Sequence, residues 1–123
     1  MPIRVVLAED HYLVREGVRG LLASLADIEV VAVCDDLDSL LAAVEAEHPD
    51  VVVTDIRMPG ISGIEMLAYL RNCREPTPVI LITAFGDEEL HGEAARWGAS
   101  AVLDKPFELD DLRRAVQGVA PHF

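Results

Sequence analysis

Asp50-Val51-Val52-Val53-Thr54, followed by Asp55, shows no alternation of polar and apolar side chains. A strand with one wet face would alternate. This run is too short for a helix and rich in β-branched residues, so it reads as a strand buried on both faces. Such strands belong to parallel sheets covered by helices on each side. Both flanks agree. Upstream, Leu37, Leu40, Leu41 and Val44 form a helical stripe ended by His48-Pro49. Downstream, Met58-Pro59-Gly60 makes a loop, and Ile64, Leu67 and Leu70 continue as a helix.

The same alternation extends to both ends. Ile3 through Ala8 and Glu29 through Cys34 read as the first two strands, separated by a helix with Leu13, Val14, Val18, Leu21, Leu22 and Leu25 on its stripe. Pro76-Thr77-Pro78 breaks the third helix, and Val79 through Thr83 is the fourth strand. Asp87 is the expected N-cap of a more polar helix closed at Trp97-Gly98. Ser100 through Leu103 forms the fifth strand, and Leu109, Leu112, Val116 and Val119 the last stripe. The pattern predicts one doubly wound α/β domain over residues 1–123, with five parallel strands, five helices and right-handed crossovers.

Composition narrows the function classes. The 123 residues are 51% hydrophobic, enough for one core, and carry a formal charge of −12. Such a charge repels phosphate backbones, so direct nucleic-acid binding by this chain is not expected. Cys34 and Cys73 have no metal-type spacing and read as reduced, packing thiols. There is no signal-peptide pattern and no membrane-length apolar run, which points to a cytoplasmic protein.

In open α/β sheets, sites form beyond the carboxyl ends of the strands, where the strand order reverses. The residues expected there are Glu9-Asp10, Cys34-Asp35-Asp36, Asp55, Thr83 and Lys105. Glu9, Asp10 and Asp55 would converge as three acids, which resist ionising together unless a cation joins them. Oxygen ligands with room for water suit Mg²⁺. Lys105 adds a point positive charge for phosphate oxygens, and Thr83 a hydroxyl that can donate to one. The set fits phosphoryl transfer onto a carboxylate, where positioning and charge neutralisation dominate.

Singly, each has a plainer use: Asp10 as a helix cap, Asp55 as the start of a turn, Thr83 as a strand end, Lys105 as a solvated lysine. The convergence at the ends of four strands favours the joint reading. His11, His48, His91 and His122 share no zinc-type spacing. No phosphate-binding glycine loop and no nucleophile elbow follows any strand.

With those residues in place, the sequence resembles the receiver domain of bacterial two-component response regulators over essentially its whole length. The carriers are Val5-Val6-Leu7-Ala8-Glu9-Asp10-His11, Val51 through Gly60, Val79 through Ala84, and Asp104-Lys105-Pro106-Phe107. The resemblance implies a flavodoxin-like sheet in the order 2-1-3-4-5. It implies Asp55 as phosphoacceptor, taking a phosphoryl group from a sensor histidine kinase. Glu9, Asp10, Asp55 and the backbone carbonyl of Arg57 would hold Mg²⁺. Thr83 and Lys105 would contact the phosphoryl group, and Lys105-Pro106 would be a cis peptide.

One position departs from the family. Receivers usually carry an aromatic three residues before the lysine, and here Val102 stands there. The usual coupling of the threonine to that aromatic is therefore not expected. Phe85 and Trp97 are read as packing residues; Phe85 beside the site is also expected to lengthen the life of a phosphoryl-aspartate. The expected output is transcription, through a DNA-binding effector domain outside this chain, with a single-domain regulator as the other option and either homodimerisation on phosphorylation or partner binding as the route. Two other readings are a phosphorylation-independent interaction module and a haloacid-dehalogenase-like phosphatase. The latter needs a second aspartate where this chain has Arg57.

Overall fold

The computed structural model describes residues 2–57, 62–83, 88–105 and 107–119. Strands β1 (Ile3–Ala8), β2 (Ile28–Cys34), β3 (Val51–Asp55), β4 (Val79–Thr83) and β5 (Ala101–Asp104) alternate with helices α1 (Tyr12–Ala23), α2 (Leu37–Glu47), α3 (Gly63–Asn72), α4 (Glu88–Arg96) and α5 (Leu109–Val119). All strand pairs are parallel, in the order β2-β1-β3-β4-β5. The expected fold is the observed one.

The period of two along each strand builds two cores. Val6, Ala8, Val52, Val79 and Leu81 face α2, α3 and α4, meeting Leu40, Val44, Met66, Leu67, Leu70 and Ala94. Val5, Leu7, Val51, Val53, Ile80 and Ile82 face the other way, onto Val18 and Leu22 of α1 and Leu112 and Val116 of α5. Central strands β3 and β4 are buried along their whole length. The edges are wetter than a uniformly buried sheet: Val33 on β2 is exposed, and β5 is only half-buried. A strand with one neighbour has less to cover it.

Strand limits move by one residue in three places. β2 starts at Ile28, β3 is Val51–Asp55 and β5 is Ala101–Asp104. Asp50 still donates its N–H to the Arg4 carbonyl at 2.8 Å, but the Arg4 N–H goes to the Asp50 carboxylate at 2.9 Å instead of to a strand carbonyl. Leu13 does not join the α1 stripe and is 73% exposed. At 100° per residue it lies roughly 140° around the helix from buried Val18. His11, not Asp10, caps α1, its Nδ1 accepting the Val14 N–H.

The thiols also separate. Both are free, but only Cys34 is buried, while Cys73 is exposed. Trp97 is half-exposed, beside a left-handed Gly98 at φ +82° that only glycine adopts freely. The expected Met58-Pro59-Gly60 loop, the Asp87 cap, Phe85, and the Lys105-Pro106 peptide bond involve positions outside the described residues.

Candidate functional site

The order of strands reverses between β1 and β3, so the chain leaves a crevice where their carboxyl ends part. Glu9 and Asp10 follow β1, Asp55 ends β3, Thr83 ends β4, and Lys105 follows β5. The structure brings all five together. With His11, Val14 and Arg57 they line one cleft of about 240 Å³.

Asp55 is the centre of the cleft's charge. It is 7% exposed, and both carboxylate oxygens are engaged. Oδ1 accepts the Arg57 backbone N–H at 2.7 Å, and Oδ2 accepts Lys105 Nζ at 2.8 Å. The first contact is the side-chain turn expected of an aspartate leaving a strand. The second crosses from β5. The turn contact and the lysine contact thus coexist in one carboxylate, one on each oxygen.

Glu9 lies behind it, 3% exposed, with Oε1 3.6 Å from Lys105 Nζ. Burial, then the hydrogen bond to Asp55 and its charge, push the Glu9 carboxyl up to about 8. Burial alone would raise Asp55 too, but hydrogen bonds from Glu9, Lys105 and the Arg57 N–H outweigh it and hold Asp55 below the usual range. The two acids are hydrogen-bonded to each other, and their opposed shifts favour the charge on Asp55.

The donors offered are oxygens, a set that suits a hard, partly hydrated cation. The carboxyl pressed against Asp55 is the crowding such a cation relieves. Among the described residues, though, no three acids already stand at metal-ligand spacing. Glu9 and Asp55 are drawn to Lys105, while Asp10 is exposed at the rim.

Thr83 is buried at the cleft wall, and its register partner is Asp104. The Lys105 backbone N–H donates to the Thr83 carbonyl at 2.7 Å, which ties the two strand ends together. Val102, half-buried, packs against the α2–α4 core. It also lines a second cavity of about 300 Å³ with Phe107, Asp111 and Arg114. Asp35 and Asp36 do not join the site; Asp36 caps α2 by accepting the Ser39 N–H at 2.7 Å.

The sequence model of the response regulator receiver domain matches residues 5–117. The chain belongs to that family. It is 43% identical over 118 residues to the C4-dicarboxylate transport transcriptional regulatory protein DctD of Pseudomonas aeruginosa, covering 93% of this chain and 25% of that protein. It is 36% identical to the transcriptional regulatory protein DegU of Brevibacillus brevis, covering 96% of this chain and 50% of that one. The receiver therefore spans from a quarter to about half of these curated relatives. Among solved structures, the signal receiver domain of the putative response regulator NarL from Mycobacterium tuberculosis superposes with a TM-score of 0.90. It is 35% identical and covers 95% of this chain and 94% of that one. Among the described residues, no helix is long and apolar enough to cross a membrane.

Proposed function

We propose that this receiver is a phosphorylation-dependent switch in which Asp55 accepts a phosphoryl group from a phosphohistidine of a sensor kinase. The observation that carries the reading is the Asp55 carboxylate: buried, charged, and gripped on one oxygen by Lys105 and on the other by the Arg57 N–H. An Asp55 oxygen attacks phosphorus, the P–N bond breaks, and its electron pair returns to the imidazole. The product is an acyl phosphate. Lys105 then faces phosphoryl oxygens, and the Thr83 hydroxyl can donate to one.

Glu9, Asp10, Asp55 and the Arg57 carbonyl are the groups that would hold Mg²⁺. When bound, that ion supplies charge neutralisation for the phosphoryl oxygens. Thr83 and Val102 are the switch positions. With valine at position 102, movement at Thr83 reaches β5 through the backbone bond from Lys105 to the Thr83 carbonyl. The output is transcription, exerted by a DNA-binding effector domain of the whole regulator. This reading rests on relatives named as transcriptional regulators.

The test is intact-mass measurement after incubation with a small phosphodonor and Mg²⁺, comparing wild type with Asp55→Ala. A phosphate-sized gain that needs Mg²⁺, survives acid and is lost in base, in wild type only, is the expected result. No gain in folded wild type would replace the switch with a phosphorylation-independent interaction module.

A further inference from the structure

Gly63 opens α3 at a point where the helix leans on the backbone carrying the phosphoacceptor candidate. A Cβ built there would stand 2.9 Å from the Ile56 Cα, 3.1 Å from the Asp55 carbonyl oxygen and 3.3 Å from Leu81 Cδ2. The two nearest atoms are backbone, and both belong to the strand end that presents the Asp55 side chain. The reason for glycine is space, because its φ lies outside the left-handed region. The Gly63 N–H also donates to the Ile56 carbonyl. Behind it, Met66, Leu67 and Leu70 seat α3 in the core, and the Ser62 hydroxyl accepts the Glu65 N–H. The helix therefore cannot retreat freely from an added methyl group.

We propose that Gly63 is a positioning residue for Asp55. By letting the first turn of α3 close on Ile56, it fixes the peptide that delivers the Arg57 N–H to Asp55 Oδ1, and so the plane of the reactive carboxylate. A methyl at position 63 pushes the Asp55–Ile56 backbone rather than a flexible side chain. The Arg57-to-Asp55 bond, 2.7 Å long, then stretches. This inference takes the reading of Asp55 as phosphoacceptor as its basis for the effect on rate, but not for the effect on geometry.

The experiment compares wild type, Gly63→Ala and Gly118→Ala, the last adding a methyl to open space on α5. Two quantities are read: the rate of labelling by a small phosphodonor with saturating Mg²⁺, and the Arg57 amide proton resonance. The expected result is a folded Gly63→Ala protein whose Arg57 amide proton moves upfield. Its maximal labelling rate falls about tenfold or more, with half-saturation by the donor unchanged. Gly118→Ala matches wild type in both. Because Leu81 is the one side chain among the three contacts, Gly63→Ala/Leu81→Val separates packing from positioning, and serves as the variant should the single one not fold. Labelling that stays slow in the double variant supports the proposal; recovery to the wild-type rate overturns it. A Gly63→Ala protein with wild-type labelling and an unmoved Arg57 resonance overturns it too. If wild type itself is not labelled, the phosphoacceptor reading fails, and the Arg57 resonance alone decides whether Gly63 sets the carboxylate.

Discussion

The two ends of the sheet use the same kinds of side chain to opposite purposes. At the amino end, Arg4 on β1 reaches the end of α2, its guanidinium bonding the Glu47 carboxylate at 2.8 Å and the Glu47 carbonyl. Arg71 near the end of α3 donates to the carbonyls of Glu75, Thr77 and Gly98, at 2.8, 3.1 and 3.2 Å. These cations satisfy groups that helix ends and loops leave open. At the carboxyl end, Lys105 instead meets two buried acids hydrogen-bonded to each other, of which burial and Asp55 push Glu9 up to about 8. The amino end is tied for stability; the carboxyl end keeps crowded charge that folding alone does not require.

The two ends should differ most at Lys105. Lys105→Ala removes the cation from Asp55 Oδ2 and should slow labelling by about tenfold to a hundredfold, read by intact mass against time. A variant labelled at the wild-type rate would place Lys105 with the structural cations. Arg71→Ala should do the reverse. Losing three carbonyl contacts should cost roughly 2 kcal/mol in urea unfolding, while the labelling rate of the folded protein holds. Slowed labelling there would mean that the two ends are not separable.

A smaller effect concerns the α2 cap. Hydrogen bonds from the Ser39 side chain and backbone hold Asp36 below the ordinary carboxylate value of 3.8. A depressed acid adds stability above its unfolded value and loses it as pH falls through the folded one. Asp36→Asn should therefore lower the melting temperature slightly near neutral pH, and the gap should narrow as pH falls below that ordinary value. A gap that persists in acid would assign the cap to geometry rather than charge. The smallest effect is chemical. Burial, with Asp36 and Asp35 nearby, raises the Cys34 thiol, whereas Cys73 is exposed. Iodoacetamide should modify Cys73 alone in the folded protein, as peptide mass mapping would record.

Much of this was legible in the chain. Three valines between two aspartates announce a buried strand, and the carboxyl-end rule then gathers Glu9, Asp10, Asp55, Thr83 and Lys105, which do line one cleft. The failures have physical causes. Leu13 lies next to Val14 in an apolar run whose spacings of three and four suggest one stripe, yet its angle puts it in water. Burial of β2 and β5 depends on which strands lie at the edges, which hydropathy does not record. Arg4 and Arg71 bond mainly to carbonyls, and a carbonyl has no residue type to recognise. Gly63 could have been noticed as a glycine opening a helix, but only the 2.9 Å approach to Ile56 gives the reason.

On the proposed function, Asp55 is kept for chemistry and not for stability. The direct measurement is Asp55→Asn, followed by urea unfolding and phosphodonor labelling on the same preparation. Without the Asp55 charge, Glu9 can release its proton and pair with Lys105, so the fold keeps an ion pair. Labelling should be abolished while unfolding free energy is unchanged within about 1 kcal/mol, or rises. A large loss of stability, with labelling retained at another residue, would contradict it.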